Sequence, residues 1–213
     1  SCIAGSRLFI QRKIYDRFVA RLVEATQRLC LGHPFDPNTQ VSSLVHSDHL
    51  KSVEDYVAMG RADGGEVLTG GARPDAADLS AGAYYAPTII AGLSNKACIC
   101  REEIFGPVLV ALPFDDEADV IAQANDNDYG LACGIWTKDY PRSQRIGNAI
   151  RAGTVWINTY KQFSISTPFG GDGDSGIGRE KGRDGLRAYQ RQKSFYTDLS
   201  GKPHPWAKWP PDA

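Results

Sequence analysis

The chain lacks a surplus of either charge: 24 Lys and Arg stand against 25 Asp and Glu, for a net charge of −1. No broad basic field exists to hold a phosphate backbone, so a nucleic-acid partner is not expected. Long apolar runs are missing too. None approaches the roughly 18 residues that a membrane span needs, and the first residues hold no basic segment followed by an apolar stretch. A soluble chain that does not engage a membrane is expected. Cysteine is scarce and odd in number, with five in 213 residues: Cys2, Cys30, Cys98, Cys100 and Cys133. That count argues against a disulfide scaffold and for a reducing cytoplasm. Histidine is scarcer still, and neither a zinc knuckle nor a redox Cys-x-x-Cys can be assembled, so no metal is expected. No carboxylate pattern completes a metal site around His46 and His49, which read as solvated surface. The opening Ser1-Cys2-Ile3-Ala4-Gly5-Ser6-Arg7 has no initiator Met and reads as a start inside a longer polypeptide.

What is present is an ordinary globular composition, 42% hydrophobic and 23% charged, in a chain long enough to bury a sizeable core. Ile14, Phe18, Leu22, Ala25 and Leu29 recur at spacings of three and four, which predicts an amphipathic helix over 13–31. A second helix is expected from an N-cap at Ser47 to about Arg61, followed by a short strand at 66–69. Residues 84–90 and 108–114 read as strands, the latter without polar alternation and therefore buried on both faces. Asp115, Asp116 and Glu117 crowd the start of a helix ending near Asn125, where they complement the helix dipole. A buried strand at 131–137, a helix opened by Pro141 and a strand at 154–158 continue the alternation. The fold class is therefore α/β, with a mainly parallel open sheet flanked by helices. A loop over 161–178 leads to a short helix at 183–189 and a last strand at 193–199, which lies outside the alternation and is free to pair with another chain. The tail, 201–213, carries four prolines with Trp206 and Trp209 and cannot be regular helix or sheet.

On composition alone, Cys2 is a small apolar residue, although Arg7 could favour its thiolate if the fold brings the two together. Glu102-Glu103-Ile104-Phe105-Gly106-Pro107 sets two acids and a ring on a rigid turn before a buried strand. Gly171-Asp172-Gly173-Asp174-Ser175-Gly176 fits Gly-x-Gly-x-x-Gly, yet no strand leads straight into it and two aspartates would repel a pyrophosphate.

Six motifs in order resemble the C-terminal half of the NAD(P)-dependent aldehyde dehydrogenase superfamily. They are Cys2-Ile3-Ala4-Gly5-Ser6-Arg7, Glu102 to Pro107, Asn125 with Tyr129-Gly130-Leu131, Ala152-Gly153-Thr154-Val155-Trp156-Ile157-Asn158, Pro168-Phe169-Gly170-Gly171 and Ser175-Gly176-Ile177-Gly178-Arg179-Glu180. The resemblance covers the chain to about Leu199. It implies that Cys2 is a nucleophile that forms a thiohemiacetal and then a thioester, with its own N–H as one oxyanion donor. It further implies that Glu103 accepts from the nicotinamide ribose hydroxyls of NAD or NADP and that Phe105 packs beside the same part of the cofactor. Glu180 matches an acid that relays a proton from the general base. Ser1 and Ile3 fall beside the nucleophile, and Phe163 and Phe169 fall where rings line the aldehyde path, with plain core packing as the alternative for both rings.

Departures accompany the matches. Asp172 and Gly173 stand where an aromatic residue and a lysine are common, and Arg191 stands where some relatives carry an acid that pairs with the arginine matching Arg179. Asp184 is the acid available to separate these two arginines. The family's general base, oxyanion asparagine and nucleotide-binding domain lie upstream of Cys2. The expectation is thus a catalytic domain over 1–182, an oligomerisation segment over 183–200 and a tail over 201–213, inactive alone and belonging to a homodimer or homotetramer that oxidises a small aldehyde. A non-catalytic assembly module and a redox-independent esterase are the alternatives.

Overall fold

The computed structural model describes residues 1–202, so Trp206 and Trp209 lie outside the described residues. Strand β1 (Arg7–Gln11), which the hydrophobic pattern had left unassigned, passes through a 3-10 turn at Arg12–Ile14 into helix α1 (Tyr15–Gln27). Ile14 belongs to that turn, so the helix begins two residues later, and ends four residues earlier, than the expected 13–31. Its packed stripe is Tyr15, Val19, Leu22 and Val23, while Ile14 and Phe18 are 39% and 42% exposed. Helix α2 (Ser47–Ala62) is capped by His46 and not by Ser47: the His46 Nδ1 accepts the Asp48 N–H at 3.1 Å. An imidazole nitrogen supplies the acceptor that a hydroxyl or carboxylate usually gives.

Strand β2 (Glu66–Thr69) forms as expected, but β3 is confined to Thr88–Ala91. Tyr84 and Tyr85 are buried outside the ladder, where Pro87 has no N–H to offer it. A short helix α3 (Cys98–Arg101) precedes strand β4 (Val108–Phe114). Helices α4 (Glu117–Asn125) and α5 (Tyr140–Ala149) are capped by Asp116 and Asp139, whose carboxylates accept the N–H groups of Asp119 and Arg142 at 2.9 Å each. Strands β5 (Ala132–Ile135) and β6 (Thr154–Ile157) flank α5, and α6 (Gly182–Arg187) is the last helix among the described residues.

The order β1-β4-β3-β2 builds one sheet, parallel except for the antiparallel β2, and β5 and β6 make a separate parallel pair. Strand β4 explains the helices on both sides. Val108, Val110 and Leu112 point to one face and meet Leu50, Val53 and Val57 of α2. Ala111 and Leu109 point to the other face and meet Val19 of α1. A strand without polar alternation is thus covered on both faces, as its composition required. The β5–β6 pair differs: all four residues of β5 are only half-buried, so that strand is open where a buried one was expected.

Residues 190–200 form no helix or strand. Phe195, Tyr196 and Leu199 are 79%, 95% and 91% exposed, so the strand expected at 193–199 has no ladder partner among the described residues. Among the described residues, no helix is long and apolar enough to cross a membrane.

Candidate active site

Cys2 sits on a tight turn ahead of β1, closed by the Ala4 N–H donating to the Ser1 carbonyl at 2.9 Å. Ser1 and Cys2 are exposed, while Ile3 is buried and anchors the turn. The Cys2 N–H donates to no acceptor among the described residues. The Tyr160 hydroxyl donates to the Ile3 carbonyl and ties the turn to the loop after β6. Arg7 does not serve the Cys2 thiol. Its guanidinium donates to Asn95 Oδ1 (2.9 Å), the Gln123 carbonyl (3.1 Å) and the Ala124 carbonyl (3.0 Å), and burial pulls its pKa down. The thiols it faces are Cys100 and Cys133. Burial pushes Cys100 up to about 11, so this is an inert pair of thiols rather than an activated one.

Beyond Tyr160, a row of aromatic rings runs through this loop. Tyr160 and Phe163 meet Trp156 with ring centroids 5.0 and 5.5 Å away, and Phe163 meets Phe169 at 5.3 Å with planes at 90°. Edge-to-face contacts of this kind fix ring positions better than aliphatic packing does. The Trp156 Nε1–H donates to the Gln162 carbonyl at 2.8 Å. Asn158 holds the loop's start with positive φ, its amide donating to the Thr137 carbonyl at 2.8 Å and accepting the Thr137 N–H at 2.9 Å. Phe169 and Glu180 pair by mutual backbone hydrogen bonds of 2.8 and 2.7 Å, and the Glu180 carboxylate is left exposed. Lys181 follows with positive φ, its Nζ 4.1 Å from the Phe163 ring centroid.

The glycine-rich loop between these residues is docked by its backbone. The Asp172 N–H donates to Gly130 and the Asp174 N–H to Asp128, each at 2.9 Å, while Ser175 Oγ accepts the Gly130 N–H at 3.1 Å. Two of the amide donors a phosphate cradle would use are thereby occupied. Arg179 donates to the Gly171 carbonyl at 2.6 Å, and Asp184 pairs with Arg187 at 2.9 Å. Asp184 therefore does not stand between Arg179 and Arg191.

The two adjacent acids separate into different tasks. Glu102 accepts from the Tyr56 hydroxyl at 2.8 Å and the Cys98 thiol at 3.2 Å; these bonds hold its carboxyl below its ordinary range and push Tyr56 up to about 12. Glu103 is exposed and has no hydrogen-bond partner among the described residues. Phe105 is 53% exposed at a φ of 54°, a left-handed conformation that costs a bulky residue about 1–3 kcal/mol. Gly106 makes the turn possible, since a Cβ there would lie 2.5 Å from Val53 Cγ2 of α2. The His49 ring stands 6.3 Å from the Phe105 ring and steadies this side.

The structure thus gathers Ile3 with Tyr160, and Phe163 with Phe169 and Glu180. No hydrogen bond or ring contact among the described residues joins Glu103 and Phe105 to that group. Tyr160, Trp156 and Lys181 were not singled out from sequence. The run of aromatic residues at 156, 160 and 163 was the available signal for the first two. No group of three or more His, Cys, Asp or Glu able to hold a metal ion occurs among the described residues.

Residues 1–195 match the sequence profile of the aldehyde dehydrogenase family. Betaine aldehyde dehydrogenase of Mesorhizobium japonicum is 42% identical over 205 residues, 96% of this chain and 42% of that protein. An aldehyde dehydrogenase of Deinococcus radiodurans is 45% identical over 199 residues, 93% of this chain and 38% of that protein. The fold is similar to betaine aldehyde dehydrogenase of Staphylococcus aureus in complex with NAD+, with a TM-score of 0.93 and 36% identity over 98% of this chain and 41% of that one. The chain spans about two fifths of the length of the curated relatives it matches.

Proposed function

The chain belongs to the aldehyde dehydrogenase family, and on that premise we propose that it supplies the nucleophile and part of the cofactor and aldehyde sites of an enzyme oxidising a small aldehyde to a carboxylic acid. The observation that carries this reading is the exposed Cys2 turn, with its N–H free, tethered through Ile3 to the ring row of Tyr160, Trp156, Phe163 and Phe169. A soft nucleophile beside an apolar, rigid wall suits a carbonyl compound better than a charged phosphate.

In this reading the Cys2 thiolate adds to the aldehyde carbonyl, and the Cys2 N–H donates to the oxygen as it gains negative charge. Loss of hydride from the Cys2 thiohemiacetal leaves a thioester, which water hydrolyses, with the free carboxylate of Glu180 passing the proton. The residues present fit a nicotinamide dinucleotide, because Glu103 keeps both carboxylate oxygens free for two vicinal hydroxyls while Glu102 holds the turn from behind. NAD or NADP, when bound there beside Phe105, supplies the hydride acceptor. Ser1 and Phe163 border the aldehyde, and Ile3 orients the turn from below.

The chain alone is proposed to be inactive, the remaining groups coming from the rest of a longer polypeptide. The exposed segment with Phe195, Tyr196 and Leu199 supports pairing between copies in a homodimer or homotetramer. Five unbonded cysteines support a reducing cytoplasm. The test is reduction of NAD or NADP by the full-length protein over a panel of neutral aldehydes, with Cys2→Ala expected to abolish turnover. Turnover that survives Cys2→Ala would overturn the assignment of the nucleophile. Failure with every aldehyde and both dinucleotides would favour a non-catalytic assembly module, and dinucleotide-independent hydrolysis of activated esters would favour an esterase.

A further inference from the structure

Lys181 is a charged group on the ring row to which the proposed reaction assigns no role. Its Nζ lies 4.1 Å from the Phe163 centroid and 5.9 Å from the Phe169 centroid, so the ammonium sits over the two rings proposed to border the aldehyde. Positive φ at Lys181, immediately after the Phe169–Glu180 backbone pair, directs the side chain to this place. Among the described residues no carboxylate oxygen lies within 4.0 Å of that nitrogen. The charge is therefore held by ring faces, with no ion-pair partner among the described residues.

The geometry points to Lys181 as a specificity-determining residue that selects aldehydes bearing a carboxylate and excludes those bearing a quaternary ammonium. The inference rests on the reading of Phe163 and Phe169 as part of the aldehyde site. Two physical effects act in the same direction. A trimethylammonium group gains from aromatic faces only if they are vacant, and here the protein's own ammonium lies over them. A cationic substrate would also meet a like charge at close range in a partly dry site, whereas an anionic one would meet an opposite charge. Across a few ångströms at intermediate dielectric, this discriminates by roughly 10- to 100-fold in kcat/KM.

The experiment uses the full-length protein with three probes of similar length: succinic semialdehyde as the anion, betaine aldehyde as the cation and butanal as the neutral reference. The unaltered protein is expected to prefer the anion over the cation by about 10-fold or more, with the preference falling as salt is raised. Lys181→Met should reduce that ratio by about 10-fold or more, and Lys181→Arg, which keeps both charge and ring contact, should retain it. Butanal turnover accompanied by a ratio that Lys181→Met leaves unchanged would overturn the inference while leaving the aldehyde reading intact. A ratio insensitive to salt in the unaltered protein would overturn it without any variant. No turnover of any probe by the unaltered protein would overturn the aldehyde reading, and this inference with it.

Discussion

The Tyr160 hydroxyl donates to the Ile3 carbonyl across 157 residues of sequence, and this bond joins the turn that carries Cys2 to the loop that carries the aromatic row. Neither segment is regular secondary structure, so their relative position depends on a few contacts: the tether, the buried Ile3 side chain and the edge-to-face rings. A nucleophile on a loop is useful only if the loop is held, and here the holding group is a phenol that is itself packed against Trp156.

Tyr160→Phe tests the tether because it keeps the ring and removes only the donor. The loss should be about 1 kcal/mol of unfolding free energy in a urea titration. Labelling of Cys2 by a small alkylating agent should become faster as the turn loosens. A variant indistinguishable from the parent in both measurements would mean that the ring stack alone holds the turn.

Glu102 and Glu103 are neighbours with opposite expected phenotypes. Glu103→Gln should weaken dinucleotide binding by about 10-fold or more, since a charged acceptor of two hydroxyls becomes a neutral one, with little effect on melting. Glu102→Gln should lower the melting temperature, because Tyr56 and Cys98 lose a charged acceptor. Dinucleotide titration and thermal melting of both variants separate the two roles, and a swapped pattern would reverse the assignment.

How much of this was legible in the sequence follows from the range of each interaction. Strand β4 and helices α4 and α5 were readable because their signals, an unbroken apolar run, acids at the start of α4 and Pro141 at the start of α5, are local. Strand β1 was missed because Arg7 opens it with a charge, and that charge is buried only by three acceptors about 90 to 117 residues away. The His46 cap was missed because imidazole is a rare capping group. Cys2, Glu103 and Glu180 became candidates through ordered motifs and not through their chemistry alone. Lys181 carried no local signal at all: its place over Phe163 depends on a left-handed backbone that sequence does not announce.

Acid sensitivity should be concentrated at Glu117, which accepts from Arg142 at 2.7 Å and Arg145 at 2.9 Å and so joins α4 to α5. Those hydrogen bonds hold its carboxyl down at about 2. The folded carboxyl ionises below the ordinary glutamate range near about 4.3, so its contribution is complete above that range and is lost as pH falls through about 2. Glu117→Gln should therefore melt below the parent at neutral pH, with the difference shrinking as the solution is acidified. A difference constant with pH would trace the effect to packing instead of charge.

Gly153 tests how closely β6 must approach the loop that carries Phe169. A Cβ at Gly153 would overlap the Gly170 carbonyl oxygen, which is backbone and cannot rotate away, whereas a Cβ at Gly178 would meet nothing within 4 Å. Gly153→Ala should therefore cost about 1–3 kcal/mol and displace Phe169 from Phe163, seen as altered near-ultraviolet circular dichroism from the ring row. Gly178→Ala should change stability by less than about 1 kcal/mol. The comparison isolates steric approach from the general effect of removing a glycine, because a Cβ meets a neighbour at only one of the two positions. Equal losses at the two positions would mean that backbone freedom, and not the close passage of β6 beneath the loop, is what the glycines provide; the ring row would then be held by its own edge-to-face contacts alone.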